Sequence, residues 1–295
     1  MKIGFIGLGV MGSPIAANLL TFDEHSVTVF DIDEDKVQRL VHQGANKATS
    51  IETAVNSADL VFTSLPGPKQ IKMVAFGDKG LLQSMRESTT WIDLSTNNLE
   101  MSQRINQLAS EKHIDFLDAP VSGGDEGARA ASLTIMTGGE KSVFEKCLPV
   151  LQMIGKEIKH VGPSGAGYAA KIAQVVLCYL HSLALSEALM LGVKGGVDKQ
   201  EMLSIIQNST GRSYVADRYG PPILNGDYDP SFSLGLAHKD MKLAQEMARN
   251  LGIKLPMCDL TTATYARAIE RYGFDDNHLK AVRLLEEGNN TFLQI

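Results

Sequence analysis

The chain has 295 residues, longer than one ordinary domain, so two domains are expected. An apolar fraction of 44 % suits a protein with a substantial core, and a formal net charge of −6 without any basic run argues against a nucleic-acid partner. The three cysteines, Cys147, Cys178 and Cys258, match no metal spacing and read as reduced thiols of a cytoplasmic protein.

The N-terminus enters a strand at once, Lys2 to Ile6, with no charged n-region, so no signal peptide is expected. Gly7, Gly9 and Gly12 follow as G-x-G-x-x-G, and Ser13 to Leu20 reads as a helix. In that context the first glycine permits a tight turn, the second lets backbone approach a pyrophosphate, and the third lets helix pack on strand. The diphosphate would lie at the helix N-terminus, where N–H groups and the dipole favour negative charge. A second strand, Ser26 to Phe30, ends at Asp31, about twenty residues on, where a dinucleotide fold places an acid on the adenosine ribose. A carboxylate there repels a 2′-phosphate, so NAD is expected over NADP; the alternative is that Asp31 caps the helix starting near Glu34.

The α/β rhythm continues to residue 160. Ala58 to Ser64 is an apolar strand ending in the turn Leu65-Pro66-Gly67-Pro68, and Thr90 to Leu94 is another, followed by the helix-capping cluster Ser95-Thr96-Asn97-Asn98. Thr96 is read either as a cofactor contact or as a cap. Later strands are expected at His113–Asp118, Ala131–Thr137 and Ile158–Val161, giving a largely parallel, doubly wound sheet. Between them, Ser122-Gly123-Gly124 exposes backbone N–H groups beside a hydroxyl, a receptor suited to a carboxylate or else a flexible loop.

Glycines and proline at 162–167 mark a boundary, and only helical signals follow. The first runs from about Tyr168 to Lys194, stopped by Gly195-Gly196. Its most apolar stretch is interrupted by Gln174, His181, Ser182, Ser186 and Glu187, which predicts a buried helix and not a membrane span. Shorter helices are expected at 198–207, 212–218, 238–251, 256–272 and 277–287. The fold class is thus α/β: a Rossmann-type doubly wound N-terminal domain (1–163) plus an all-α C-terminal domain (164–295), with a long interdomain helix. Lys171 lies inside the apolar run of that helix. It either snorkels to water or is a desolvated proton-transfer group. Gln174 shares its face one turn on. No metal constellation and no nucleophile elbow is present.

The segments Gly4 to Gly12, Asp118-Ala119-Pro120-Val121-Ser122-Gly123-Gly124, Gly162 to Lys171, and His238-Lys239-Asp240 together resemble the β-hydroxyacid dehydrogenases over nearly the whole chain. Ser209 to Tyr214 is most similar to the 3-hydroxyisobutyrate dehydrogenase branch. The resemblance implies that the glycine turn and Met11 hold the diphosphate and Asp31 the ribose, while Leu65, Pro66 and Thr96 line the nicotinamide side. It implies Lys171 as the catalytic lysine and Ser122, Gly123 and Gly124 as the substrate-carboxylate loop. Lys239 would close over the cofactor with Phe232 and Asp240 nearby, and the long helix would support a homodimer or homotetramer. The family usually has Asn or His three residues after the lysine, followed by Asn or Gln; here Gln174 and Val175 stand there. Gln174 keeps an amide one methylene further out, and Val175 keeps none, which points to a different substrate or a low rate. The expected activity is NAD-dependent oxidation of a small β-hydroxy acid. A semialdehyde or glyoxylate reductase and a non-catalytic NAD-binding sensor or scaffold are the alternatives.

Overall fold

The computed structural model describes residues 1–22 and 24–295, which separate into two compact units, Met1–Lys171 and Ile172–Ile295. The first alternates β1 (Lys2–Ile6), α1 (Gly12–Leu20), β2 (Ser26–Phe30), α2 (Glu34–Val41), β3 (Asn46–Lys47), α3 (Ile51–Val55) and β4 (Leu60–Thr63). It continues through α4 (Pro68–Phe76), α5 (Leu81–Ser84), β5 (Thr90–Asp93), α6 (Leu99–Ser110), β6 (Asp115–Asp118) and β7 (Val121–Ser122). Then come α7 (Gly124–Arg129), β8 (Leu133–Gly138), α8 (Lys141–Leu151) and β9 (Gly155–Gly162).

Six strands in the order β3-β2-β1-β4-β5-β6 are parallel, with β1 flanked in register by β2 (Ile3 on Val27) and β4 (Ile3 on Leu60). Both faces of this sheet are covered. Ile3, Phe5, Val27 and Val29 pack with Ile15 and Leu19 of α1 on one side. Ile6, Val61 and Trp91 pack with Val55, Ile71 and Ile105 on the other. Apolar strands buried on two faces are what short right-handed crossovers demand. The parallel run ends at β6, because β8 returns antiparallel to it and β7 antiparallel to β8, with β9 parallel to β8. Two-residue strands such as β3 and β7 are too short to show a period in the sequence.

The second unit is helical. It holds most of α9 (Ala166–Lys194), then α10 (Lys199–Gln207), α11 (Tyr214–Asn225), α12 (Leu234–Asn250), α13 (Pro256–Tyr272) and α14 (Lys280–Gly288). Gly196, at φ +96°, ends α9, with Val197 N–H returning to the Gly192 carbonyl at 3.0 Å. Leu185, Leu189, Leu203, Val215, Ile223 and Val282 form its core.

Three expectations are corrected here. The helix read as starting at His238 begins at Leu234, because the Ser233 hydroxyl accepts from Leu236 N–H; His238-Lys239-Asp240 therefore lies inside it. The helix expected to end at 218 runs to Asn225 through Pro221 and Pro222, stopping where Gly226 turns left-handed. The long helix is less buried than its composition suggests. In its most apolar window, of mean hydropathy 1.6, only 39 % is buried, and Leu177 and Leu191 are exposed.

Candidate functional site

The glycine turn is set by steric contact. Gly7 adopts φ +93° and donates its N–H to the Phe30 carbonyl at 3.0 Å; a Cβ there would lie 2.2 Å from the Ser64 carbonyl oxygen. A Cβ at Gly12 would lie 2.0 Å from the Gly7 carbonyl oxygen. A Cβ on Gly9, between them, would meet nothing within 4 Å among the described residues. Two glycines are thus needed by the protein's own backbone and the middle one leaves room for something else, the pattern a diphosphate requires. Helix α1 starts at this turn with no described side chain capping it, so its first N–H groups suit an anion.

Asp31 lies against the same turn. Its carboxylate accepts from Leu8 N–H at 2.6 Å and Asp33 N–H at 2.8 Å. The helix cap is Asp33, which accepts from Asp35 N–H, so the capping reading of Asp31 does not hold. Ile32 beside it is 97 % exposed and offers nothing to a 2′-phosphate. Leu65 packs on the turn from the end of β4, its Cδ2 3.0 Å from where a Gly7 Cβ would sit. Thr96 is half-buried after β5, and Asn98 caps α6 by accepting from Met101 N–H at 2.9 Å, so the cap reading of Thr96 does not hold either.

Ser122 is half-buried and pairs with Thr134, and Gly123 (φ +133°) and Gly124 (φ +63°) then turn the chain into α7. That helix is tied to α1 by Asn18, whose amide donates to the Ala128 carbonyl at 2.6 Å. Four residues before Ser122, the carboxylate of Asp118 is fully buried and receives the start of α9. It accepts Gly165 N–H at 2.7 Å, Tyr168 N–H at 3.1 Å and the Ser102 hydroxyl at 3.1 Å. Burial raises its pKa to about 6 against the lowering effect of those donors. A side chain at Gly167 would strike the Met136 and Asp118 carbonyl oxygens at 2.4 and 2.5 Å, so this helix start is pressed onto the sheet. Lys171, half-buried, follows Tyr168 by three residues and projects from the same helix face.

In the helical unit, Gln174 is half-buried on α9, and Lys239 and Asp240 pair at 2.9 Å on α12. Asp240 also accepts from the Tyr179 phenol at 3.0 Å. The Phe232 ring lies 6.0 Å from that of His278, a fully buried imidazole bonded to Asp229. Sequence reasoning missed the buried polar groups behind these elements, Asp93, Tyr168 and Asp229. The only signal was a carboxylate inside an otherwise apolar strand, as at Asp93.

An open α/β sheet with a glycine cradle and an acid at the end of β2 marks a dinucleotide-binding protein. Residues 2–162 match the NAD-binding domain of 6-phosphogluconate dehydrogenase, and residues 165–285 the NAD-binding domain of NADP-dependent 3-hydroxyisobutyrate dehydrogenase. The chain is 42 % identical to 2-(hydroxymethyl)glutarate dehydrogenase of Eubacterium barkeri, over 90 % of this chain and 88 % of that protein. It is 37 % identical to 3-hydroxyisobutyrate dehydrogenase of Pseudomonas aeruginosa, over 86 % and 88 %. The structure of Mycobacterium tuberculosis 3-hydroxyisobutyrate dehydrogenase with L-serine superposes with a TM-score of 0.88 at 31 % identity, covering 96 % of this chain and 98 % of that one. The chain belongs to the β-hydroxyacid dehydrogenase family and is an NAD(P)-binding oxidoreductase.

Proposed function

We propose that this protein oxidises the alcohol of a small β-hydroxy acid to the semialdehyde with NAD, using Lys171 as the general base. The observation that carries the reading is the start of α9, bound to Asp118 in the same unit as the glycine cradle, which fixes the backbone from which Lys171 projects. Gly7, Gly9, Met11, Gly12 and Asp31 would hold the dinucleotide, with Leu65, Pro66 and Thr96 on its nicotinamide side; bound there, it supplies a hydride acceptor. The Ser122 hydroxyl and the N–H groups of Gly123 and Gly124 receive the substrate carboxylate. Lys171 takes the proton of the substrate hydroxyl as the carbon loses hydride, and returns it when the reaction runs backwards. Gln174 supplies an amide to the substrate, and Phe232, Lys239 and Asp240 contribute on the cofactor side. Asp31 and the absence of a cation from the Asp31-Ile32-Asp33 run support NAD over NADP. The apolar run of α9, with Leu177 and Leu191 exposed, supports assembly as a homodimer or homotetramer, in a cytoplasmic protein.

A second reading is a β-hydroxy acid with a further carboxylate. The 42 % identity to 2-(hydroxymethyl)glutarate dehydrogenase favours it, as do Gln174 and Val175 in place of the usual pair. Initial rates of NADH formation, with NADP as control, over 3-hydroxyisobutyrate, serine, glycerate, 4-hydroxybutyrate and 2-(hydroxymethyl)glutarate separate the two. Lys171→Ala is expected to lower kcat on the best substrate by about 100-fold or more. A rate within a few fold of wild type removes Lys171 from the chemistry, and silence across the panel with NAD still bound favours a non-catalytic role.

A further inference from the structure

Tyr168 and Asp93, neither of which has a part in the chemistry above, are both fully buried. Asp93 ends β5, and its Oδ2 accepts a hydrogen bond from the Tyr168 phenol. Its Oδ1 accepts the Thr63 hydroxyl at 2.7 Å, the Ser95 hydroxyl at 2.6 Å and Ser95 N–H at 3.1 Å. The Ser95 oxygen in turn accepts Leu65 N–H at 2.9 Å, and the Thr63 oxygen accepts the Trp91 indole N–H at 2.8 Å. Asn97 lies beside the same phenol, outside hydrogen-bonding geometry.

One continuous chain of hydrogen bonds therefore runs from the backbone N–H of Leu65, through Ser95 and Asp93, to the phenol of Tyr168. Leu65 is in the turn assigned to the nicotinamide side, and Tyr168 is one helical turn before Lys171 on the same face. Burying a carboxylate is costly, and burial pushes both the Asp93 carboxyl and the Tyr168 phenol upward. Apolar residues of similar volume would give comparable stability, so fold maintenance alone does not account for the group. Its place, at the carboxyl ends of β4 and β5 where open α/β sheets bind ligands, does.

We propose that Asp93 and Tyr168 are positioning residues that lock the Lys171 turn of α9 to the Leu65 turn, so that the base and the cofactor-lining segment are held as one piece. This rests on the assignment of Lys171 as the base. A displacement of about 1 Å at a reacting group can cost about 100-fold in rate, which sets the scale expected when the lock is cut.

The test is a double-mutant cycle between Tyr168→Phe and Lys171→Ala. Tyr168→Phe keeps the ring and removes only the donor to Asp93. It is expected to lower kcat by about 10- to 100-fold, with KM for the hydroxy acid and the NAD-induced rise in melting temperature changed little. Combined with Lys171→Ala it should cost nothing further, since a residue acting through the lysine has no effect once the lysine is gone. Ser95→Ala cuts the other end and should weaken NAD binding more than it lowers kcat. It should also alter the emission of Trp91, the single tryptophan, which reports on the chain through Thr63. If Tyr168→Phe does not fold, Asp93→Asn is carried through the same cycle. A Tyr168→Phe kcat within about twofold of wild type, or losses that multiply in the double mutant, overturns the positioning role. Lys171→Ala alone judges the base assignment: a slow Lys171→Ala with multiplying losses sinks only the lock, while a fast one sinks both.

Discussion

The glycine turn and the foot of α9 belong to the same unit, but they are built by opposite means. At the turn, backbone meets backbone: Gly7 and Gly12 are fixed because a single added carbon would overlap a carbonyl oxygen, at 2.2 and 2.0 Å. At the foot of α9, two buried carboxylates gather donors from five residues, Asp118 from Ser102, Gly165 and Tyr168, and Asp93 from Thr63, Ser95 and Tyr168. The first device leaves space, at Gly9; the second fills it. A ligand that must approach backbone needs the former, and a side chain that must not move needs the latter.

The largest effect that would break this contrast lies in the turn. Alanine at Gly12 gains helix propensity, about 1 kcal/mol, yet its Cβ must displace the Gly7 carbonyl, and the clash dominates. Loss of about 3 kcal/mol of stability, a fall of roughly 5–10 °C in Tm, is expected together with loss of NAD binding. Alanine at Gly9 should leave Tm nearly unchanged and still weaken NAD by about tenfold or more, since the methyl occupies only the open approach. Calorimetry on the two variants, with and without NAD, checks this. Equal destabilisation by both would mean that Gly9 is structural after all.

The turn was legible because its requirement is local: three glycines between an apolar strand and a helix, and an acid after the next strand, can be counted off the chain. That β1, β2, β4, β5 and β6 belong to a parallel sheet was legible for the same reason, from alternating apolar runs and crossovers, whereas the two-residue β3 was not. What was not legible depends on partners far apart in the chain. Asp93 reads as a polar interruption of an apolar strand until Tyr168, 75 residues away, supplies its phenol. The start of α12 was misplaced because a charged triplet, His238-Lys239-Asp240, drew attention from the plainer cap at Ser233. The exposed face of α9 was missed because a run apolar all round reads as buried whether or not this chain alone covers it.

A second test addresses the carboxylate side. Asp118 faces neutral donors only, and burial holds its pKa at about 6, above its unfolded value of 3.8. A raised native pKa means the folded state binds the proton more tightly, so this increment is full below pH 4 and is lost as pH rises through 6. The shift corresponds to about 3 kcal/mol. Asn mimics the protonated form, so the stability of wild type relative to Asp118→Asn should fall by about that amount between pH 4 and 7. Urea unfolding at several pH values measures it, and a flat difference would show that the donors hold the ionised form without penalty.

The smallest effect sharpens the same point from the helical unit. Asp229 is buried too, though less completely than Asp118, and its partner is His278, whose Nε2 lies 3.1 Å from Oδ2, with the Ser231 hydroxyl at 2.7 Å on the other oxygen. Burial alone would raise its pKa; the hydrogen bonds of His278 and Ser231 and the imidazole charge outweigh it and bring the carboxyl to about 2. The sign is now reversed. A depressed native pKa contributes stability that is present above pH 4 and lost as pH falls through 2, about 2 kcal/mol here. The stability of wild type relative to Asp229→Asn should therefore grow with rising pH between 2 and 4, where that of the Asp118 pair has yet to begin its decline. Opposite slopes would establish that a histidine partner outweighs burial at Asp229 while burial prevails at Asp118; parallel slopes would dissolve the distinction between the two carboxylates.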